Sequence, residues 1–350
     1  MTPALPRPGL RDVEPYHAPQ LEAAARLNTN ECPYPLPEAF RKELAEAVRK
    51  IALNRYPDRE ATELREALAK HAGHPVEGTW AANGSNEVTQ QLLLAYGGPG
   101  RKVVVFEPTY VLHERLSWVA SCELVRLRLG EPWALTSSDV QGAIAVEPNV
   151  AFVCSPNNPT GNAQPIAVIE ELVAGTDALV IVDEAYVEFG GESTAALVAQ
   201  HANVVVVRTF SKAFALAGAR IGYCLAAPAV VDDLRRVRLP YHLSALAQTA
   251  GLLALRHADD ALAILDRICR ERDRIIEVLT AMPGVQAFPS DANFVLFRPP
   301  KPATDVWRGL LDRGVLVRDM TAVVPESLRV TAGTPEEVDR FLEALEEVLR

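Results

Sequence analysis

The chain has 350 residues, of which 49% are hydrophobic, and its formal net charge is −10. This length exceeds what one ordinary core needs, so we expect two lobes that share one interface. The acidic charge and the lack of a basic run argue against nucleic acid and anionic membrane as partners. An acidic enzyme fits this composition better.

The five cysteines are scattered along the chain, at positions 32, 122, 154, 224 and 269. They form no Cys-x-x-Cys pair and cannot all pair within one chain, which predicts a reducing compartment, the cytoplasm. Metal-ligand spacing is absent, so we expect no metal site. The apolar runs are short and interrupted by charge, so nothing predicts export or a membrane anchor.

The first part of the chain reads as an arm followed by a surface helix. Residues 1–37 are rich in proline and irregular, which predicts an N-terminal arm. Residues 38–52 then repeat apolar side chains at helical spacing, with charges between them. This helix would begin the large domain and could pack on the small one.

Between residues 80 and 227, short β-rich runs alternate with helical or loop stretches. The runs are 103–106, 124–129, 150–154, 179–182, 204–207 and 221–225. Such alternation predicts an α/β fold, with a mostly parallel sheet flanked by helices. We assign residues 38–270 to this large domain, which would bind a cofactor.

The rhythm changes after two long helical stretches at 242–256 and 259–281, the second of which ends at Pro283-Gly284. Four strand-like runs then surround one helix at 304–313, and Pro335 opens a last helix. The runs are 285–288, 293–297, 315–317 and 328–331. We therefore expect a small α+β domain at 271–350.

Lys212 is the only lysine between Lys102 and Lys301, and it follows the apolar run 204–207. The chain uses six lysines against 29 arginines, so a position that needs only positive charge would carry arginine. Lysine, unlike arginine, forms imines, and Arg220 eight residues later could supply an anion site. The alternative is a lysine at a strand end that points into solvent.

Asp183 ends the apolar run 179–182, at the carboxyl end of a strand, where open α/β sheets bind ligands. An apolar strand that ends in Asp-Glu also resembles the second motif of phosphate-loop ATPases. The chain has no GxxxxGK[ST] loop, and no GxGxxG follows a strand. With a pyridine cofactor, Asp183 would keep the ring nitrogen protonated, and Tyr186 could donate to the ring oxygen.

Three further segments have both a functional and an ordinary interpretation. Residues 155–161 read Ser-Pro-Asn-Asn-Pro-Thr-Gly, which is also a plain turn. Gly84-Ser85-Asn86-Glu87 begins a helical run and could bind a phosphate, although an ordinary N-cap explains the same residues. Tyr110 follows a strand end and could cover a flat ring, or could be a loop or core tyrosine.

Taken together, GSNE, PTY, SPNNPTG, DEAY and TFSK, with Arg220 eight residues after Lys212, resemble pyridoxal-phosphate aminotransferases of the aspartate aminotransferase fold type. The resemblance covers nearly the whole chain and implies pyridoxal 5'-phosphate as the cofactor. It implies that Lys212 holds the cofactor covalently and moves a proton between substrate and cofactor.

The resemblance also implies roles for the residues around Lys212. Asp183 would pair with the ring nitrogen, Asn158 and Tyr186 would bond the ring oxygen, and Tyr110 would stack on the ring. The phosphate would be surrounded by Ser85, Asn86, Thr209, Ser211 and Arg220. Tyr56, in the motif Arg-Tyr-Pro-Asp, would reach the phosphate of a neighbouring subunit, which implies a homodimer.

Within that fold type, the chain is most similar to the histidinol-phosphate aminotransferases. The match rests on LNTNE at 27–31, Pro33-Tyr34, LPYHLS at 239–244, VLVRD at 315–319 and LRVTAGT at 328–334. It implies that Arg318 and Arg329 bind the phosphate of histidinol phosphate, and that Arg329 also binds the α-carboxylate of glutamate. Tyr16 would help from across the dimer. The ordinary interpretation of Arg318 is an ion pair with Asp319.

The arm departs from the family pattern, since Cys32 and Pro35 stand where asparagine and glycine are usual, and this weakens the substrate assignment more than the cofactor assignment. The expected reaction is transamination between histidinol phosphate and 2-oxoglutarate in histidine biosynthesis. The alternatives on the same scaffold are an aromatic amino-acid aminotransferase and a phosphothreonine decarboxylase. A non-catalytic ligand-binding domain is the alternative from another class, and Lys212, Asp183 and Arg220 speak against it.

Overall fold

The computed structural model describes residues 4–5 and 19–350. Its α-helices are α1 (Glu38–Lys50), α2 (Thr62–Ala72), α3 (Ser85–Tyr96), α4 (Val111–Val119), α5 (Ser137–Ala145), α6 (Ile166–Gly175), α7 (Pro228–Val237), α8 (Ala245–Arg256), α9 (Ala258–Leu262), α10 (Leu265–Ala281), α11 (Ala303–Asp312) and α12 (Pro335–Leu349). Its strands are β1 (Ala25–Arg26), β2 (Thr79–Ala82), β3 (Lys102–Glu107), β4 (Glu123–Arg128), β5 (Val150–Cys154), β6 (Leu179–Asp183), β7 (Val204–Thr209), β8 (Gly222–Leu225), β9 (Gln286–Ala287), β10 (Phe294–Arg298), β11 (Val315–Leu316), β12 (Arg318–Asp319) and β13 (Leu328–Thr331).

The larger sheet has seven strands in the order β2-β8-β7-β6-β5-β3-β4. The five strands from β7 to β4 run parallel, and β8 is antiparallel to both of its neighbours. The expected α/β fold with a mostly parallel sheet is therefore confirmed. Strand β2, which reads Thr-Trp-Ala-Ala, was not among the predicted runs because it is short and half alanine, a residue depleted in strands.

Helices cover both faces of this sheet, which explains why its strands read as continuous apolar runs. Side chains alternate along each strand, so that Val180 and Val182 enter one core while Ile181 enters the other. The first core also holds apolar side chains of α2, α5, α6 and α8, whereas the second holds those of α3 and α7. Because this sheet is buried on both faces, the ends of its strands hold side chains in fixed positions.

The smaller sheet has four antiparallel strands in the order β12-β13-β10-β9. Apolar side chains of α10, α11 and α12 share one core with β10 and β13. Residues 25–26, predicted to be irregular, instead form β1, which pairs in parallel with β11. Ala25 and Leu27 lie in the same core, so this part of the arm is an integral part of the C-terminal structure.

Two details of the helices differ from the sequence expectation. The single helix expected at 259–281 is two helices, α9 and α10. Ala263 and Ile264, which separate the two helices, keep right-handed helical backbone angles. The helical spacing of apolar residues therefore continues across the break, and the sequence pattern does not reveal it. Helix α1, which could have packed on the smaller domain, packs against α8. Glu43 of α1 also contacts His257 at 2.7 Å.

The five cysteines lie within the described residues, and none of them forms a disulfide. In the described part of the chain, every helix is too short or too polar to cross a membrane.

Candidate active site

The carboxyl ends of the parallel strands meet at one edge of the larger sheet and line a cavity of about 450 Å³. Tyr110 follows β3, Asn158 follows β5, Asp183 ends β6 and Lys212 follows β7. The other wall comes from the smaller sheet and from the arm around Asn28. Twelve residues singled out in the sequence line this cavity: Ser85, Asn86, Tyr110, Asn158, Asp183, Tyr186, Thr209, Ser211, Lys212, Arg220, Arg318 and Arg329.

The amine of Lys212 is held by the arm. Its Nζ donates to the carbonyl oxygens of Thr29 and Asn30, at 3.0 Å each, and lies 5.6 Å from the centre of the Tyr186 ring. Burial, followed by the positive charge of Arg329, lowers the pKa of the Lys212 amine to about 7. Near neutral pH a large fraction of this amine is therefore unprotonated and nucleophilic.

Asp183 is buried and is held by a histidine that the sequence analysis did not single out. Its Oδ2 lies 3.0 Å from Nε2 of His113, and its Oδ1 accepts from the backbone N–H of Ala185 at 3.1 Å. The ring of His113 stacks on Phe152, with 4.5 Å between ring centres. These contacts fix the carboxylate at the strand end. A lone histidine three residues after Tyr110 carries no motif, so no local pattern marks it as a site residue.

A group of hydroxyls and one guanidinium, which we call the anion cradle, lines the same cavity as Lys212. Thr209 Oγ1 donates to Ser211 Oγ at 3.0 Å, and Nη1 of Arg220 donates to the same Ser211 oxygen at 3.0 Å. Gly84 has a φ of +89°, and a side chain there would place its Cβ 2.5 Å from Nη2 of Arg220. Arg220 thus lies directly above the start of α3, where N–H groups point outward and attract anions.

The lack of a side chain at Gly222 brings the sheet close to the same helix start. A Cβ at this position would lie 2.1 Å from the backbone nitrogen of Ser85, so only glycine fits. Strand β8 therefore supports the helix end that carries Ser85 and Asn86. Hydroxyls, a guanidinium and a helix N-terminus together make a site that fits a phosphate group.

The two arginines of the smaller sheet lie opposite each other, because Arg318 of β12 and Arg329 of β13 are paired in register. Nη1 of Arg329 donates to Oδ1 of Asn158, and its Nη2 donates to the carbonyl of Asn28 at 2.9 Å. The carboxylate of Asp319 accepts from Thr304 Oγ1 at 3.0 Å and from the Thr321 N–H at 2.9 Å. Two guanidinium groups on adjacent strands can bind one anion from two directions.

Asn158 and Tyr186 lie between these two walls. Because Asn158 Oδ1 accepts from Arg329, its amide N–H groups remain to donate to another acceptor. The Tyr186 hydroxyl accepts from Nδ2 of Asn30 at 2.9 Å, so its own hydrogen also remains to be donated. Asn30, like His113, was not singled out by sequence, although it lies in the LNTNE segment.

Two predicted residues lie away from the cavity or outside the described structure. Tyr56 is 79% exposed, and its ring stacks on Tyr241 with 4.3 Å between ring centres. Its expected role concerns a neighbouring subunit and stays a prediction. Tyr16 lies outside the described residues. Arg115 also lines the cavity, and the sequence analysis did not select it.

Comparisons with known proteins agree with this geometry. The family model described as aminotransferase class I and II matches residues 24–345. The histidinol-phosphate aminotransferase of Thermobifida fusca is 48% identical over 349 residues, covering 97% of this chain and 94% of that one. The histidinol-phosphate aminotransferase of Streptomyces avermitilis is 49% identical over 356 residues, covering 98% and 96%.

Among solved structures, the histidinol-phosphate aminotransferase of Sinorhizobium meliloti in complex with pyridoxal-5'-phosphate has the same fold. The TM-score is 0.85 at 24% identity, covering 94% of this chain and 92% of that one. Identity near one half over almost the full length is the stronger finding. The chain belongs to the class I and II aminotransferases and, within them, to the histidinol-phosphate aminotransferases.

Proposed function

We propose that the protein binds pyridoxal 5'-phosphate and transfers an amino group between L-histidinol phosphate and 2-oxoglutarate. The products are imidazole-acetol phosphate and L-glutamate, and the reaction belongs to histidine biosynthesis. The observation that carries the proposal is that Lys212, Asp183 and Arg220 line the same cavity as Arg318 and Arg329. One half of this set suits the cofactor, and the other suits an anionic substrate.

The residues present fit the cofactor. The cradle of Ser211, Arg220 and the start of α3 suits its phosphate, and the buried carboxylate of Asp183 suits its ring nitrogen. The side chain of Tyr110 lies at the cavity wall, where it would cover one face of the ring. When bound, the cofactor withdraws electrons from the substrate carbon that loses its proton.

The chain's own residues would handle binding and proton transfer. Lys212, with a pKa near 7, can both take a proton from the carbon beside the substrate nitrogen and return it. Asp183, fixed by His113, would offer its carboxylate to the ring nitrogen. The amide of Asn158 and the hydroxyl of Tyr186 each keep a donor for the ring oxygen.

The substrate would be selected by the two arginines of the smaller sheet. We assign the phosphate of histidinol phosphate to Arg318 and Arg329, and the α-carboxylate of glutamate to Arg329. An aromatic amino acid needs only one arginine and an apolar slot, so the paired guanidinium groups favour the phosphorylated substrate.

We further propose that the protein works as a homodimer in the cytoplasm, with Tyr56 and Tyr16 reaching the partner's site. Near the stacked tyrosines Tyr56 and Tyr241 in the sequence, Leu53 and Leu239 are 71% and 73% exposed. A second copy would bury such a surface. Five unpaired thiols suit a reducing compartment.

The test is a comparison of amino donors. Purified protein supplied with pyridoxal phosphate is given histidinol phosphate or phenylalanine, with 2-oxoglutarate as acceptor. We expect kcat/KM for histidinol phosphate to exceed that for phenylalanine by at least about a hundredfold, as for two charge-assisted contacts. A preference for phenylalanine would contradict the substrate assignment, and failure to bind the cofactor would contradict the aminotransferase reaction itself.

A further inference from the structure

Asn30 lies next to the reacting amine and is buried, with only 1% of its surface exposed. Its backbone N–H donates to Thr331 Oγ1 at 3.0 Å, and its side-chain oxygen accepts from the same hydroxyl at 3.1 Å. Its side-chain amide donates to the Tyr186 hydroxyl, and its carbonyl accepts from Lys212 and from Asn293. Each of its polar groups therefore has a partner.

The backbone of Asn30 has an unusual conformation that explains how it holds Lys212. Its φ is +56°, in the left-handed region that glycine and asparagine tolerate best. In an extended strand, successive carbonyls point to opposite sides. Here the carbonyls of Thr29 and Asn30 both accept from Lys212 Nζ at 3.0 Å. The left-handed residue between them turns both oxygens toward the amine.

Two fixed acceptors have a chemical consequence for this amine. A neutral amine has two N–H hydrogens and one lone pair, arranged tetrahedrally with the carbon. When both hydrogens are donated to fixed carbonyls, the lone pair has only one direction left. The carbonyls of Thr29 and Asn30 thus orient the lone pair of Lys212 Nζ. This lone pair is what attacks a carbon or accepts a proton.

Asn30 also connects this amine to the substrate side of the cavity. Thr331, which holds both ends of Asn30, lies on β13 two residues after Arg329. Asn293, which binds the carbonyl of Asn30, immediately precedes β10, the neighbour of β13. Asn30 therefore fixes the position of the Lys212 amine relative to the smaller sheet, which also carries Arg329.

We propose that Asn30 is a positioning residue for the reaction: its carbonyl, with that of Thr29, orients the Lys212 amine, while its side-chain amide orients the Tyr186 hydroxyl. This inference rests on the proposed use of Lys212 to bind pyridoxal phosphate. It assigns to the arm a part in the chemistry that is distinct from substrate binding. Thr331 serves as the anchor that holds Asn30 in place.

Two substitutions separate the roles of carbonyl and amide. Asn30→Gly keeps the left-handed backbone accessible and removes the side-chain carboxamide, with its contacts to Tyr186 and Thr331. Asn30→Ala removes the same group and also disfavours the backbone conformation. Apoprotein is mixed with pyridoxal phosphate, and covalent linkage at Lys212 is trapped with borohydride at increasing times. The pH midpoint of the visible absorbance is measured on the cofactor-loaded protein.

We expect Asn30→Ala to slow trapping about tenfold, because the left-handed conformation is costly for alanine. Asn30→Gly is expected to trap within about threefold of wild type, while its pH midpoint shifts because Tyr186 has lost its amide donor. Thr331→Val should behave like Asn30→Ala, and Thr331→Ser should restore the wild-type rate because it keeps the hydroxyl.

The matched control is Asn203→Ala. The Asn203 amide donates to the carbonyls of Val173, Thr176 and Ala178 at the opposite end of β7. Its loss should lower the melting temperature and leave trapping and pH midpoint unchanged. The positioning role is overturned if Asn30→Ala and Asn30→Gly keep both wild-type values, or if Asn203→Ala changes them equally. Neither readout uses histidinol phosphate, so a wrong substrate assignment would not affect this test.

Discussion

The two walls of the cavity are built in different ways. On the wall formed by the larger sheet, the anion cradle joins Thr209, Ser211 and Arg220, which lie within 12 residues of chain. On the opposite wall, Arg329 is held by Asn28 and Asn158, and Asn30 is held by Thr331, across separations of 171 to 301 residues. The contacts among Thr209, Ser211 and Arg220 are local in sequence, whereas those that hold Arg329 and Asn30 are assembled by the fold.

This difference suggests that the two walls can change separately. Contacts within one turn keep their geometry whenever that turn folds, so binding of the cofactor phosphate should tolerate changes on the opposite wall. The assembled wall depends on the arm, on β13 and on the Asn158 turn at once, so substrate selection should respond to changes in any of them. Substitutions on each wall test this division, and the largest effect is expected at Lys212, which both walls serve.

Replacement of Lys212 by alanine should have the largest effect. We expect a loss of turnover of about 10⁴-fold, the upper range for a group that transfers protons in the transition state. The melting temperature should not fall, because the substitution removes an amine whose charged form is disfavoured by burial. Single-turnover kinetics and thermal unfolding measure the two. Lys102→Ala, which loses a contact to the Val146 carbonyl, is the control; equal losses in both variants would contradict the assignment.

Arg318→Met should separate the two walls. Loss of one charge-assisted contact is expected to raise KM for histidinol phosphate by roughly ten- to hundredfold, because such contacts contribute about 1.5–3 kcal/mol. The dissociation constant for pyridoxal phosphate should stay at the wild-type value. Steady-state kinetics and absorbance titration provide both numbers, with Arg313→Met, on the Glu347 ion pair, as the control. If Arg318→Met weakened the binding of pyridoxal phosphate as much as that of histidinol phosphate, the two walls would not be independent.

The depressed pKa of Lys212 predicts how linkage to the cofactor depends on pH. The neutral amine is the nucleophile, and burial lowers its pKa to about 7, so the linkage rate should rise as pH increases through 7. Between pH 6 and pH 8 the increase in the neutral fraction is about tenfold for a pKa of 7. Stopped-flow absorbance on apoprotein gives this profile. A midpoint near the ordinary lysine value would refute the effect of burial.

His113→Phe should have the smallest effect. The substitution preserves an aromatic ring beside Phe152 and removes the contact to Asp183, whose other oxygen still accepts from Ala185. We expect kcat to fall about two- to tenfold, the range for one hydrogen bond. The pH at which the loaded enzyme changes its visible absorbance should move as well. The opposite outcome is a variant that loses kcat only in proportion to its loss of folded protein and keeps the wild-type absorbance midpoint. That result would contradict a role of His113 in positioning Asp183.

The same division explains which features the sequence could predict. Asp183 ends one buried apolar strand and Lys212 follows the next, while Arg220 comes eight residues after Lys212. The ends of parallel strands lie at one edge of a sheet whatever the rest of the chain does. His113 and Asn30 could not be selected in this way, because their partners are 70 and 156 to 301 residues distant. Strand β1 could not be predicted either, because its two residues form a strand only by pairing with β11, which is distant in sequence.

The most direct test of the account is the location of the covalent link. Protein loaded with pyridoxal phosphate is reduced with borohydride, digested, and examined by mass spectrometry for the modified lysine among the six in the chain. We predict modification of Lys212, with the other five lysines unmodified at one cofactor per chain. Modification at another lysine, or no stable modification, would contradict the claim that both walls of the cavity serve this one amine.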